Sequence, residues 1–149
     1  MGLRGINHVT FSTSLVDRCV QFYVEVLGCR VLAQWPKGAY LLAGDLWIAL
    51  VDGADETRLA SDYSHIALDA SAEELATIVE RAQSHGVELW QENWTEGDSL
   101  YLLDPAGHRL EVHCTSLLER LVHSIDNPWE GLVISPDAVE TVRTAARSG

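Results

Sequence analysis

Two histidines, His8 and His65, hold matching places in two stretches of similar pattern, and a later stretch reads His108-Arg109-Leu110-Glu111-Val112-His113. A single histidine in a strand is ordinarily a satisfied core or surface residue. Two at equivalent points of a repeat, with a carboxylate turned toward the same cavity, make a facial set of two imidazoles and one carboxylate. Such a set leaves coordination positions of a metal ion open to a substrate, as Lewis-acid catalysis needs. Side chains alternate across a strand, so Glu111 and His113 point the same way. Spacing alone leaves either of them as the third ligand.

The elements that must position these groups form one module written twice. Residues 5–28 read as an alternating strand through His8, Thr10 and Ser12, then an amphipathic helix through Leu15, Cys19, Phe22, Tyr23 and Val26, stopped by Gly28. Residues 62–86 repeat the plan with His65 in the strand, a helix through Leu75, Ile78, Val79 and Ala82, and Gly86 as the stop. Short strands follow each glycine: 30–35, 39–42 and 46–51 in the first half, and 87–91, 100–103 and 108–114 in the second. Tyr40-Leu41-Leu42 is echoed by Tyr101-Leu102-Leu103, and Asp104-Pro105-Ala106-Gly107 signals a turn. The expected fold is α+β, with two paired βαβββ modules (5–52 and 62–115) forming a curved sheet around a metal cavity, helices outside. Residues 1–126 would form a single domain that includes a short amphipathic helix at 116–125. Residues 127–149 show weak periodicity and read as a surface tail.

A chain of 149 residues with 47% hydrophobic residues has the size of one globular domain. Its formal charge of −12, with Lys37 and nine arginines as the basic residues, disfavours nucleic acid and anionic membrane as partners. An anionic substrate would need a local positive centre, and a bound metal ion supplies one. Cys19, Cys29 and Cys114 are an odd set without C-x-x-C spacing, which points to reduced thiols. With no long apolar run, a cytoplasmic location is expected.

An ordered series of motifs runs through the chain: Gly5-Ile6-Asn7-His8-Val9-Thr10, Gly38-Ala39-Tyr40-Leu41, Leu46-Trp47, Asp62-Tyr63-Ser64-His65, Glu96-Gly97-Asp98-Ser99, Tyr101, Asp104-Pro105-x-Gly107-His108-Arg109-Leu110-Glu111 and Arg120. By these the sequence resembles the metal-dependent fosfomycin thiol transferases of the vicinal oxygen chelate superfamily, over nearly all of residues 5–131. The resemblance implies His8, His65 and Glu111 as ligands of a divalent ion, usually manganese. It also implies a homodimer with modules paired across subunits, so that His8 of one chain completes the site of the other. Thr10, Ser99, Tyr101 and Arg120 would surround the phosphonate, and Trp47 would form a wall. Tyr40 would lie near the incoming thiol, and Thr10, Tyr40 and Arg120 would act in catalysis. A monovalent cation loop, for potassium, is implied at Asn93, Glu96, Gly97 and Ser99, and Gln91 and Thr95 would join the substrate-binding set, Thr95 with a hydroxyl.

One position departs from the pattern. Where the family usually carries a lysine that contacts the phosphonate, this chain has Gln91, so a related anionic epoxide is as reasonable a substrate as fosfomycin itself. The compact stretch 38–47 lacks the insertion that carries a water-activating glutamate in related epoxide hydrolases. Thr10 stands where enzymes using cysteine or bacillithiol tend to have cysteine, which favours a glutathione-type donor. A hydrolase or another metalloenzyme of the superfamily, or a non-catalytic antibiotic-binding protein, are the alternative readings.

Overall fold

The computed structural model describes residues 5–53, 63–93 and 99–147. The first module is β1 (His8–Ser12), α1 (Val16–Glu25), β2 (Arg30–Trp35), β3 (Gly38–Ala43) and β4 (Leu46–Val51); the second is β5 (Ile66–Asp69), α2 (Ala72–Ser84), β6 (Leu89–Gln91), β7 (Ser99–Leu103) and β8 (Arg109–His113). Each module forms its own four-stranded sheet, ordered β1-β4-β3-β2 and β5-β8-β7-β6. The helix carries the chain over the sheet, so β1 runs parallel to β4 and β5 parallel to β8, while the hairpin-connected strands are antiparallel. Among the described residues of one chain the two sheets are not hydrogen-bonded into one, and β1 and β5 lie at sheet edges.

The helices follow from their sequence. Along α1 the buried residues are Val16, Cys19, Val20, Phe22 and Tyr23, a stripe at helical spacing. Gly28 takes φ +72°, and Cys29 N–H reaches back across it to the Tyr23 carbonyl, a left-handed stop that a side chain would strain. The same stop recurs at Gly86 (φ +62°), with Val87 N–H bonded to the Ala82 carbonyl. Reciprocal capping boxes, Ser71 with Glu74 and Ser116 with Glu119, start α2 and α3 (Leu117–Asp126). In both boxes the hydrogen bonds hold the glutamate carboxyl below its ordinary pKa.

One core joins the modules. Phe11, Cys19, Phe22, Tyr23, Leu41 and Leu50 of the first and Leu75, Ile78, Leu102, Leu110 and Val112 of the second belong to a single buried cluster. Asp104, only 3% exposed, is the polar bracket of this junction. It accepts from Tyr23 Oη (3.1 Å), from His108 Nδ1 (2.7 Å) and from the backbone N–H groups of Ala106 and His108. The turn signal in the sequence therefore marks an inter-module tie. Burial beside Asp104 pushes the Tyr23 phenol well above its usual pKa and, with desolvation first, raises Cys19 to about 11. Cys29 is raised to about 11 by burial.

Within the C-terminal segment Ala138–Arg147 form a fourth helix, α4, that packs on α3. Sequence periodicity over 127–149 is diluted by the irregular stretch before Ala138, which hides the short amphipathic run. Among the described residues no helix is long and apolar enough to cross a membrane.

Candidate active site in two halves

The duplication is visible strand by strand. In the first sheet Thr10 pairs with Ala49, Ala49 with Tyr40 and Tyr40 with Ala33; in the second Ala67 pairs with Glu111, Glu111 with Tyr101 and Tyr101 with Gln91. Directly paired residues project to the same side of a sheet. Each row therefore lies on one face, and the rows superpose as Thr10/Ala67, Ala49/Glu111, Tyr40/Tyr101 and Ala33/Gln91. Both modules carry a bulge at the same place, between Val31 and Ala33 and between Leu89 and Gln91. The carboxylate exists in one copy only, because its counterpart is Ala49. One chain thus owns two histidines but a single matching glutamate.

The second-module half-site is built around His65. Its Nδ1 donates to the Tyr63 carbonyl at 2.8 Å, which leaves Nε2 facing Glu111 Oε2 at 2.9 Å. An imidazole held this way presents a lone pair, and two electron-rich atoms face each other across that gap. A proton on Nε2 or a cation shared by both satisfies them, and the tether is the kind that orients a metal-binding histidine. The other carboxylate oxygen, Oε1, accepts from Ser99 Oγ at 2.8 Å, and His113 Nδ1 contacts both Ser99 Oγ and Glu111 Oε1. Of the two candidate third ligands, Glu111 is the one that faces His65, while His113 stands behind it. Ser99, Tyr101 and Glu111 are buried, while His65 and His113 are partly exposed.

The first-module half-site repeats the tether by another route: His8 Nδ1 donates to Asn7 Oδ1 at 2.7 Å, leaving Nε2 available. Its ring lies on Trp47, centroids 4.4 Å apart, and Tyr40 meets Trp47 edge-on at 5.2 Å. Thr10 is two residues along the same face of β1 and exposed, and Tyr40 is 38% exposed. These four side chains share one open sheet face.

Among the described residues a single chain does not bring the halves together. Among the described residues no group of three or more His, Cys, Asp and Glu side chains could hold a metal ion, and the bonds and ring contacts of His8 stay in its own module. Arg120 sits exposed on α3, and its guanidinium makes no hydrogen bond or ion pair among the described residues. Of the expected cation loop Asn93 and Ser99 are described, whereas Glu96 and Gly97, and the expected substrate-binding residue Thr95, lie outside the described residues.

Sequence reasoning missed four contributors. Asn7, next to His8, and Tyr63, two residues before His65, orient the two histidines. Trp90 forms an aromatic wall with His65 (5.5 Å) and Tyr101 (5.2 Å), while the Arg109 guanidinium carbon lies over the Trp90 ring, 5.2 Å from its centroid. The bulge at Trp90 is what turns it to this side, and bulges have no sequence signature here. Two buried donors, Trp47 Nε1 and Gln91 Nε2, have no hydrogen-bond partner among the described residues, one in each half.

Residues 5–112 match the family model described as Glyoxalase/Bleomycin resistance protein/Dioxygenase superfamily. The chain is 39% identical over 140 residues to the glutathione transferase FosA of Serratia marcescens, covering 91% of this chain and 98% of that protein. It is 37% identical over 127 residues to the metallothiol transferase FosB of Shouchella clausii, covering 81% and 87%. Among solved structures it matches the fosfomycin resistance protein FosX of Mesorhizobium loti (TM-score 0.69, 27% identity, 80% and 99% covered). It also matches FosX of Listeria monocytogenes in complex with Mn(II) and sulfate (TM-score 0.72, 27% identity, 82% and 98% covered).

Proposed function

The chain belongs to the Glyoxalase/Bleomycin resistance protein/Dioxygenase superfamily and, within it, to the group of the Fos fosfomycin resistance proteins, and from that premise we propose that it is a metal-dependent transferase that adds a thiol to the epoxide of fosfomycin or a related anionic epoxide. The observation that carries the proposal is the matched pair of tethered histidines, each with Nδ1 committed to an oxygen and Nε2 left to bind. Two such imidazoles and the Glu111 carboxylate suit a divalent ion, manganese in our reading. Because β1 and β5 are both sheet edges, a homodimer that pairs the first module of one chain with the second of its partner unites His8 with His65 and Glu111.

A divalent ion at these three residues supplies Lewis acidity toward the oxirane oxygen. The chain's own groups do the rest. Tyr40 orients the thiol, which attacks the oxirane carbon from the face opposite the breaking C–O bond, and the proton lost by sulfur ends on the product hydroxyl. Thr10, Ser99, Tyr101 and Arg120 offer donors to the acidic headgroup, Gln91 and Thr95 extend that set, and Trp47 shields the ring. Asn93, Glu96, Gly97 and Ser99 would hold a potassium ion. Glutathione-type thiols are the expected donors in a cytoplasmic setting. The β3–β4 connection is short, with β3 ending at Ala43 and β4 starting at Leu46, and carries no insertion for a water-activating glutamate, which favours thiol over water.

Mass spectrometry of fosfomycin incubated with the protein, Mn2+ and a panel of thiols tests this. A thiol adduct is the expected product. A diol formed irrespective of thiol would assign the chain to hydrolysis, and unchanged fosfomycin would leave only sequestration.

A further inference from the structure

Trp90 touches both of the segments that carry the second-module ligands. Its indole Nε1–H donates to the Leu110 carbonyl at 3.0 Å, and that carbonyl belongs to the peptide unit leading into Glu111. Its ring centroid lies 5.5 Å from that of His65 and 5.8 Å from that of Tyr63, whose carbonyl tethers His65. Tyr101 closes on it edge-on at 5.2 Å, and the Arg109 guanidinium lies over its ring. β8 therefore grips the indole twice, through a cation on its ring and a carbonyl on its N–H. The core does not account for this placement, since Trp90 is only half-buried and lies outside the buried cluster that joins the modules. The duplication supplies a control. The first module has the same bulge, but there the bulged residue is Leu32, 51% exposed, and the counterpart of the carboxylate is Ala49. The inward-turned indole thus occurs in the module that carries Glu111.

We propose that Trp90 is a positioning residue for the metal site, holding the His65 imidazole and the Glu111 peptide in one fixed relation. The inference rests on the function proposed above in taking His65 and Glu111 as ligands of a divalent ion. The bond from His65 Nδ1 to the Tyr63 carbonyl fixes the tautomer, but a single hydrogen bond leaves the ring free to swing about its own axis. A flat indole packed beside both Tyr63 and His65 removes that freedom. The bond to Leu110 ties the same indole to the backbone that bears Glu111, so the two ligands keep their mutual spacing without a metal to hold them.

The test reads the metal itself and does not depend on turnover. Mn2+ is titrated into the natural chain, Trp90→Leu and Trp90→Phe and followed by electron paramagnetic resonance, where the free-ion signal gives the affinity and the shape of the bound signal reports the symmetry of the ligands. Trp90→Leu should weaken Mn2+ binding about tenfold and broaden the bound signal. Trp90→Phe keeps a flat ring but loses the donor to Leu110, and should weaken binding about threefold; if Trp90→Leu does not fold, this variant decides alone. A purely structural role would lower the melting temperature of the metal-free chain and leave the bound signal of the folded protein as it was. Affinity and bound signal unchanged in the folded variants overturn the proposal, and Mn2+ that fails to bind the natural chain overturns it together with the ligand assignment. Altered metal binding in the variants, with no epoxide reacting with any thiol, leaves the role of Trp90 standing while the transferase reading fails. A thiol adduct from the natural chain, with metal binding the same in all three proteins, does the reverse.

Discussion

Mixing two inactive variants should rebuild activity in a predictable amount. A His8→Ala chain loses the first-module imidazole but keeps His65 facing Glu111 at 2.9 Å; a Glu111→Ala chain does the reverse. If each site takes one half from each subunit, a mixed dimer contains one site with both lesions and one with neither. Equal amounts, exchanged to equilibrium, give about half mixed dimers, so about one quarter of the natural activity per chain returns. A second arm runs the other way. A chain carrying both substitutions, mixed with the natural chain, breaks both sites of every mixed dimer, and about half of the natural chain's activity disappears. The assay is thiol-adduct formation followed by mass spectrometry, with native mass spectrometry to count mixed dimers. Mixed dimers that form while the first mixture stays inactive and the second loses nothing would refute the reasoning and place the whole site within one chain.

Three further outcomes are expected. His65→Ala should abolish stoichiometric divalent-ion binding measured by elemental analysis, whereas His113→Ala, which removes a ring that contacts Ser99 and the far oxygen of Glu111, should weaken it by about tenfold; full occupancy in His65→Ala ends the ligand assignment. Tyr23→Phe removes one of the donors to buried Asp104 and should cost about 1–3 kcal/mol in urea unfolding while metal content is unchanged. The Cys19 thiol, raised from 9.0 to about 11, stays protonated in the folded chain where the unfolded one ionises, so its stabilisation is intact below pH 9 and lost as pH rises toward 11. Across that window the unfolding free energy of the natural chain should fall more steeply than that of Cys19→Ala, by up to about 1.4 kcal/mol per pH unit, and equal slopes would contradict the burial argument.

The repeat, the element order and the polar strand faces were legible in the sequence because they rest on local rules. Alternation assigns His8, Thr10 and His65 to one side of a strand, helical spacing assigns Cys19 and Tyr23 to the core side, and glycine alone suits the φ of +72° and +62° that ends α1 and α2. Those rules stop at the boundary of an element. Spacing left Glu111 and His113 equivalent; the tertiary structure separates them, since the pairing of β5 with β8, Ala67 opposite Glu111 and Asp69 opposite His113, brings the Glu111 carboxylate within reach of His65. The carbonyl of Tyr63, the bulge that turns Trp90, and the burial of Asp104 between modules likewise depend on strand register and packing between distant segments. So does the separation of the two half-sites. A sequence states that two histidines are equivalent, but their distance is set by how two sheets pack on a shared core, and that packing keeps His8 in one half and His65 with Glu111 in the other.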